Sequence, residues 1–397
     1  MYVYTYEMLS TRALNTATGG NATVCGGHGN VAKAIAATVG GGIDNGAVFG
    51  FASVIGGGAS NDVMYADGGV IAGGVSNFLS GAYTSVGGGT ENVAAAEGAT
   101  IGGGGSNSAT HNYATIAGGL ENEAVGQYAF IGGGDHNAAR GHYAFVGGGL
   151  SNTASSDQVF VGSGFENLAD GEAAVVVGGS RNTVVGDASF IGSGANNTIA
   201  DRVVFRADFS AIVGGLDNEV IGDFSVISGG YDNTGGPYTS IGGGASNSAT
   251  QGAHVGGGTQ NTAVGTLAAI AGGAYNAASG NYSAVGGGQS NSASGVSSYI
   301  GGGSFNTVSG EHSAVLGGSF STVTGSFSVA AGSFVTVNDD KAAAFGFDVG
   351  ETFVNHLFVL HVRYTTMLGV LSCVFFVFLC PYSLCNEARV RARDHRR

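Results

Sequence analysis

The chain has 397 residues, 77 of them Gly and only 2 Pro, with a formal net charge of −14. Glycine at about a fifth of the chain, against a usual share near 7%, does not recur every third residue, which excludes collagen; a 43% hydrophobic content excludes a flexible Gly/Ser linker. The charge divides into −18 over residues 1–351 and +4 over 352–397, and an acidic body repels phosphate backbones, which argues against nucleic-acid binding.

Residues 1–19 read as a lead-in. The opening MYVYTYEMLSTRALN has no basic start followed by an apolar run, so it does not read as a secretory leader. Cys25 stands alone in the body, and Cys373, Cys380 and Cys385 lie in the tail. No CxxC occurs, and no disulfide framework is implied. Asn21, Asn196 and Asn281 open N-x-S/T sequons, which matter only in a eukaryotic secretory setting.

From residue 20 to 324 the sequence repeats. Asn30, Asn45, Asn61 and Asn77 lead in, and Asn92, Asn107, Asn122, Asn137, Asn152, Asn167, Asn182 and Asn197 hold a period of fifteen. After one insertion, Asn218, Asn233, Asn247, Asn261, Asn276, Asn291 and Asn306 continue at fourteen or fifteen. A fixed short period implies one unit copied and stacked, each copy touching its neighbours. In residues 137–152 two extended pieces are visible, Tyr143 to Val146 and Asn152 to Ser155, separated by glycines. The reading is all-β: a single-stack parallel β-solenoid of about twenty coils, two strands of four or five residues in each. At the strand spacing of about 4.8 Å this makes a rod on the order of 95 Å long.

Alternation along a strand assigns the faces. The column Val86, Ile101, Ile116, Ile131, Val146, Val161 through Val315 and the column Ala94, Ala109, Ala124, Ala139, Ala154 through Ala293 are placed inside. Glycine is expected at the sharp corners, where φ > 0 is required, and Asn is expected to tolerate the same region. The Asn side chains should bond one another coil to coil, a structural ladder rather than a ligand site.

The outward side of the first extended piece is apolar. Tyr113, Tyr128 and Tyr143, with Tyr83, Tyr282, Phe224 and Phe327, form one aromatic column. Phe130, Phe145, Phe160 and Phe190 form a second, two residues on. A strand apolar on both faces is normally buried on both, and one coil cannot bury its own outside. The partner expected is another copy of the chain, with Tyr113, Tyr128, Tyr143, Phe130, Phe145, Phe160 and Phe190 as interface candidates. The other reading lays these rings flat on a solvated sheet.

Ala200 to Asp208 adds six residues to one coil and should loop out. Residues 325–350 read as a terminal cap that keeps the apolar alternation without Asn or triple glycine, and 351–363 as a linker. Residues 364–385 carry no charge and are long enough to span a bilayer as a helix; Arg389, Arg391, Arg393, Arg396 and Arg397 follow in a basic tail, 386–397. Three readings stay open for this hydrophobic helical tail: a single-pass membrane anchor, a buried terminus, or sequence that is not genuinely coding.

No catalytic constellation stands out. Asp135, Asp157, Glu166, Asp170 and Glu172 are read in different columns, and Glu121 with Glu123 at a solvated strand start. General acid/base work needs two carboxyls fixed across a cleft. His111, His136, His142, His254 and His312 fall at five phases of the repeat, which argues against metal ligation. A calcium-binding repeat needs an Asp at each turn, and the G-x-G strings are not followed by Lys-Ser/Thr. No enzyme activity, cofactor or metal is expected. The second piece offers a row of hydroxyls, Thr153, Thr183, Thr198, Thr262, Thr307, Thr322 and Thr324, interrupted by Glu123, Arg140 and Asp170.

The phrase Ser283-Ala-Val-Gly-Gly-Gly-Gln-Ser-Asn-Ser-Ala-Ser-Gly295 resembles the YadA-like head repeats of trimeric autotransporter adhesins. The resemblance spans residues 20 to 347. It implies a left-handed parallel β-roll, three chains per head, and adhesion at a cell surface. The family's interior aliphatic column maps onto Ile131, Val146 and Ile300, and its polar turn residue, often Ser, onto the Asn column. The chain departs from the family in its period of fifteen, its lack of a heptad stalk and neck, and its lack of the four barrel-forming strands. The function expected is a structural adhesion protein at the cell surface or outside the cell, meeting an extracellular-matrix or cell-surface ligand. The alternatives are an ice- or crystal-surface binder of the same shape, or a passive surface spacer.

Overall fold

The computed structural model describes residues 14–200, 207–346 and 359–361. The repeat forms an all-β parallel solenoid. One ladder of 22 strands runs from Thr16–Ala17 through Val31–Ala32 and Thr153–Ala154 to Thr336–Val337. A second ladder runs from Thr23–Val24 through Phe130–Ile131 and Phe145–Val146 to Ala342–Phe345. Each strand pairs in parallel with its equivalent one coil on, as in Phe130↔Phe145 with Ile131↔Val146, and Ala139↔Ala154. A third column of single backbone bridges, Leu120↔Asp135↔Leu150↔Phe165, closes the coil.

The strands are shorter than their sequence suggests. Tyr143 to Val146 reduces to Phe145–Val146, and Asn152 to Ser155 reduces to Thr153–Ala154. The chain bends after every two residues, because each coil holds two corners with a left-handed residue. In one coil these are Gln158 (φ 59°) and Glu166 (φ 51°). The expectation that glycine would fill such corners is corrected: Tyr113, Tyr128, Tyr143, Ser151 and Glu166 all sit at φ of 51–60°. A left-handed residue costs roughly 1–2 kcal/mol, and the ladders of bonds on both sides of each corner offset it. Glycine is required where φ goes further and coils touch. At Gly149 (φ +97°) a Cβ would stand 2.2 Å from the Gly164 carbonyl oxygen and 2.5 Å from Asn152 Nδ2.

Inside the coil lie the two assigned columns, fully buried from Ile101 and Ala109 to Val308 and Val315. A third inward column precedes the second strand: Ala114, Ala129 and Ala144, then Ser189, Ser210 and Ser225. Ser210 and Ser225 each donate a backbone N–H to the Ser Oγ of the coil before, at 3.0 and 3.1 Å. Each coil thus turns one aliphatic residue, two small residues and one Asn inward.

The ends differ from the expected boundaries. Among the described residues the stack already includes Asn15, before residue 20: its Oδ1 accepts the Asn30 N–H at 3.0 Å. The stretch read as a cap continues both ladders through Thr336–Val337 and Ala342–Phe345. There Ser321 takes over from Asn: its N–H donates to Asn306 Oδ1, and its Oγ accepts from Val335 N. The six-residue insertion leaves the register intact, since Phe190 pairs with Ala211 and Thr198 with Glu219; residues 201–206 themselves lie outside the described residues. Within the segment read as linker, Val359–His361 is a strand. The membrane-helix reading of 364–385 and the basic tail 386–397 lie outside the described residues. No helix among the described residues is long and apolar enough to cross a membrane.

Candidate interaction surfaces

Every Asn from Asn92 to Asn306 in the ladder is buried. The backbone N–H of each donates to the Oδ1 of the Asn one coil before, at 3.0–3.1 Å. The side-chain amide also bonds two glycine carbonyls: Asn152 Nδ2 reaches Gly148 O and Gly164 O, both at 2.9 Å. None of these ladder residues has φ > 0; the residue before each one does, as Ser151 before Asn152 and Glu166 before Asn167. The column is therefore internal wiring. A short side chain with one acceptor and two donors is the one that closes this set of bonds.

The aromatic candidates split in two. Tyr113, Tyr128 and Tyr143 are not on a strand but at the left-handed corner before it. Their rings stack at 5.2 and 5.1 Å with interplanar angles of 6 and 8°. Phe130, Phe145 and Phe160 point outward from the adjoining strands and stack at 5.2 and 5.0 Å. Phe190 stands apart, paired in register with Val175 and Ala211 rather than with rings. Two offset stacks lie side by side on neighbouring coils. Each ring shields its neighbour's faces but leaves outer edges open: Tyr143 is 60% exposed and Phe160 38%. Other ring pairs occupy the same corner at Phe209–Phe224, and the opposite corner at Phe305–Phe320.

Several titratable groups fall at corners. His136 is held between Asp135, at 2.5 Å from Nδ1, and Glu121, at 2.5 Å from Nε2. Its hydrogen bond to Asp135 leads in raising its pKa, and the Glu121 charge adds to it. The shared strand start read for Glu121 and Glu123 is corrected. Glu121 is a left-handed corner residue, and Glu123 lies on a strand, 3.4 Å from Arg140 Nη2. Asp157 and Glu172, read in different columns, share one. Asp187, Asp208 and Asp223 continue it, and Asp157, Asp187, Asp208 and Asp223 each accept the backbone N–H of the column residue one coil before: His142, Glu172, Asp187 and Asp208. Among the described residues no three His, Cys, Asp or Glu side chains come together as a metal ligand set.

The row of threonines occupies the outward side of the first ladder, except Thr324, which follows the strand. Its interruptions are confined to one part. From Thr234 through Ser248, Thr262, Ala277, Ser292, Thr307 and Thr322 to Thr336, no charged residue enters the paired column.

A shallow recess of about 180 Å³ opens beside the tyrosine corner, lined by Ala96, Thr110, His111, Asn112, Gln127 and His142. Sequence reading missed it because it arises from side chains fifteen residues apart that only the coil brings into line.

No protein-family model matches the chain, and no curated protein matches it in sequence.

Proposed function

We propose that this chain is a non-enzymatic structural protein, an elongated head that attaches at a cell surface or outside the cell and works as a homotrimer, as YadA-like heads do. The supporting observation is the aromatic outside of a coil whose interior is already full. Tyr128 and Phe145 belong to adjoining stacks that leave apolar edges open over successive coils, and contiguous apolar patches on a soluble body mark contact surfaces. Identical coils make a rotated copy of the same chain the natural cover. Attachment to a matrix or cell-surface ligand then rests on many weak equivalent contacts, multiplied by three chains. Light scattering on the full chain tests the assembly: a mass of three chains supports it, and a single-chain mass at tens of micromolar removes it. A solid-phase panel of matrix proteins separates attachment from a passive spacer.

The charge-free hydroxyl column from Thr234 to Thr336 favours a second reading, a binder of ice or another crystal surface. Thermal hysteresis measured on the full chain tests it.

A further inference from the structure

We propose that the recess at the tyrosine corner is a subsite for a neutral oligosaccharide. The inference rests on the attachment reading and names its ligand class. Asn112, Gln127 and His142 occupy one turn position in three successive coils: Tyr128 N donates to Asn112 O at 3.0 Å, and Tyr143 N to Gln127 O at 2.9 Å. Their side chains stand one coil apart, about 4.8 Å. The same position in later coils carries Asp157, Glu172, Asp187, Asp208 and Asp223, four of which spend a carboxylate oxygen on the backbone. At the recess the column is uncharged and unspent: among the described residues the amides of Asn112 and Gln127 and the imidazole of His142 have no hydrogen-bond partner, and Gln127 is half-buried between the other two.

This lining selects by chemistry. It holds no Asp, Glu, Lys or Arg, so it offers nothing to offset the desolvation of a charged ligand. An amide carries donors and an acceptor side by side, as does a pair of neighbouring sugar hydroxyls. Asn112, Gln127 and His142 each precede a stacked tyrosine, so an apolar rim with the hydroxyls of Tyr128 and Tyr143 at its tips adjoins the amides, the mixture a sugar's C–H and O–H faces need. Three equivalent positions at a fixed step suit a chain of repeated sugar units rather than one sugar.

The test applies the full chain to immobilised neutral oligosaccharides of hexose and N-acetylhexosamine units. Wild type is compared with Asn112→Ala/Gln127→Ala, with Gln127→Glu, and with Gln260→Ala at the far corner. Circular dichroism checks the fold of each, and a matrix-protein panel runs alongside. At least one glycan should be retained, about tenfold more weakly by both recess variants and unchanged by Gln260→Ala. No retained glycan, or equal retention by folded recess variants, overturns the inference. If matrix proteins are still held in that case, the saccharide assignment alone falls. If they are lost too, the attachment reading falls with it.

Discussion

Replacing Asn152 by Ala is the sharpest probe of what holds the coils together. The side chain is fully buried and closes five bonds beyond its own backbone: Nδ2 to Asn137 Oδ1, Gly148 O and Gly164 O, and Oδ1 to the Asn167 N–H and Nδ2. Gly164 O keeps a donor in Leu150 N. The Gly148 carbonyl and the Asn167 N–H have no other bond and become orphans. At about 1–3 kcal/mol for each buried unsatisfied group, the loss is about 2–6 kcal/mol. Thr153→Ala, one residue on and pointing outward, should stay within about 0.5 kcal/mol. Urea unfolding of the full chain, followed by far-ultraviolet circular dichroism, measures both. Asn152→Asp adds a signature: it keeps the acceptors but aims a carboxylate at two carbonyls, so its folded-state pKa rises. Its destabilisation should therefore be largest at neutral pH and shrink as pH falls through that raised value. Equal costs for Asn152→Ala and Thr153→Ala would refute the ladder as the source of coil-to-coil cohesion.

Three further outcomes follow from the same geometry. Gly149→Ala, with its Cβ driven to 2.2 Å from the Gly164 carbonyl, should cost more than about 2 kcal/mol, whereas Gly118→Ala, whose Cβ meets nothing nearer than 3.9 Å, should be nearly neutral in the same urea titration. Tyr128→Ala/Phe145→Ala breaks four ring stacks, each worth about 0.5–1.5 kcal/mol, yet leaves the core untouched; light scattering should show dissociation at a urea concentration where the chain remains folded, and an unchanged mass would count against the interface. His136 should titrate above its ordinary 6.5 because the Asp135 bond and the Glu121 charge favour its protonated form. With the folded value raised, its contribution is complete below 6.5 and is lost as pH rises through the folded value. The ring is exposed, so nuclear magnetic resonance titration is the readout, and Asp135→Asn should move it back toward 6.5.

The repeat made the fold legible: a column such as Ile101, Ile116, Ile131 recurring at one phase can only be an interior line, and the interior is where the structure places it. The Asn ladder was legible for the same reason. The corners were not. Tyr143 and Ser151 carry no residue-level sign of a left-handed backbone, because what stabilises that conformation is the coil above and below rather than the residue itself. Strand length failed alike: Tyr143 and Ala144 continue the alternation of Phe145 and Val146, so the pattern extends past the point where the backbone turns. The carboxylate column was legible but misread: Asp157, Glu172 and Asp187 keep the spacing of fifteen, and only the step to Asp208 crosses the insertion, which breaks the spacing but not the register.

Cohesion between coils and the character of the outer surface are therefore set by different residues. Gly, Asn, Ala and Val or Ile are fixed by contacts between coils, so variation is confined to the outward columns and corners. There particular columns differ along the stack: two ring stacks side by side over Tyr113 to Phe160, a corner column of carboxylates over Asp157 to Asp223, and a charge-free outward strand column over Thr234 to Thr336. Because each coil meets only its neighbours, a zone can change without refolding the rest. On the attachment reading proposed above, such a surface would bind by position along the stack. Loss of attachment on replacing the outward residues of one zone, with the other two intact, would locate the contact directly.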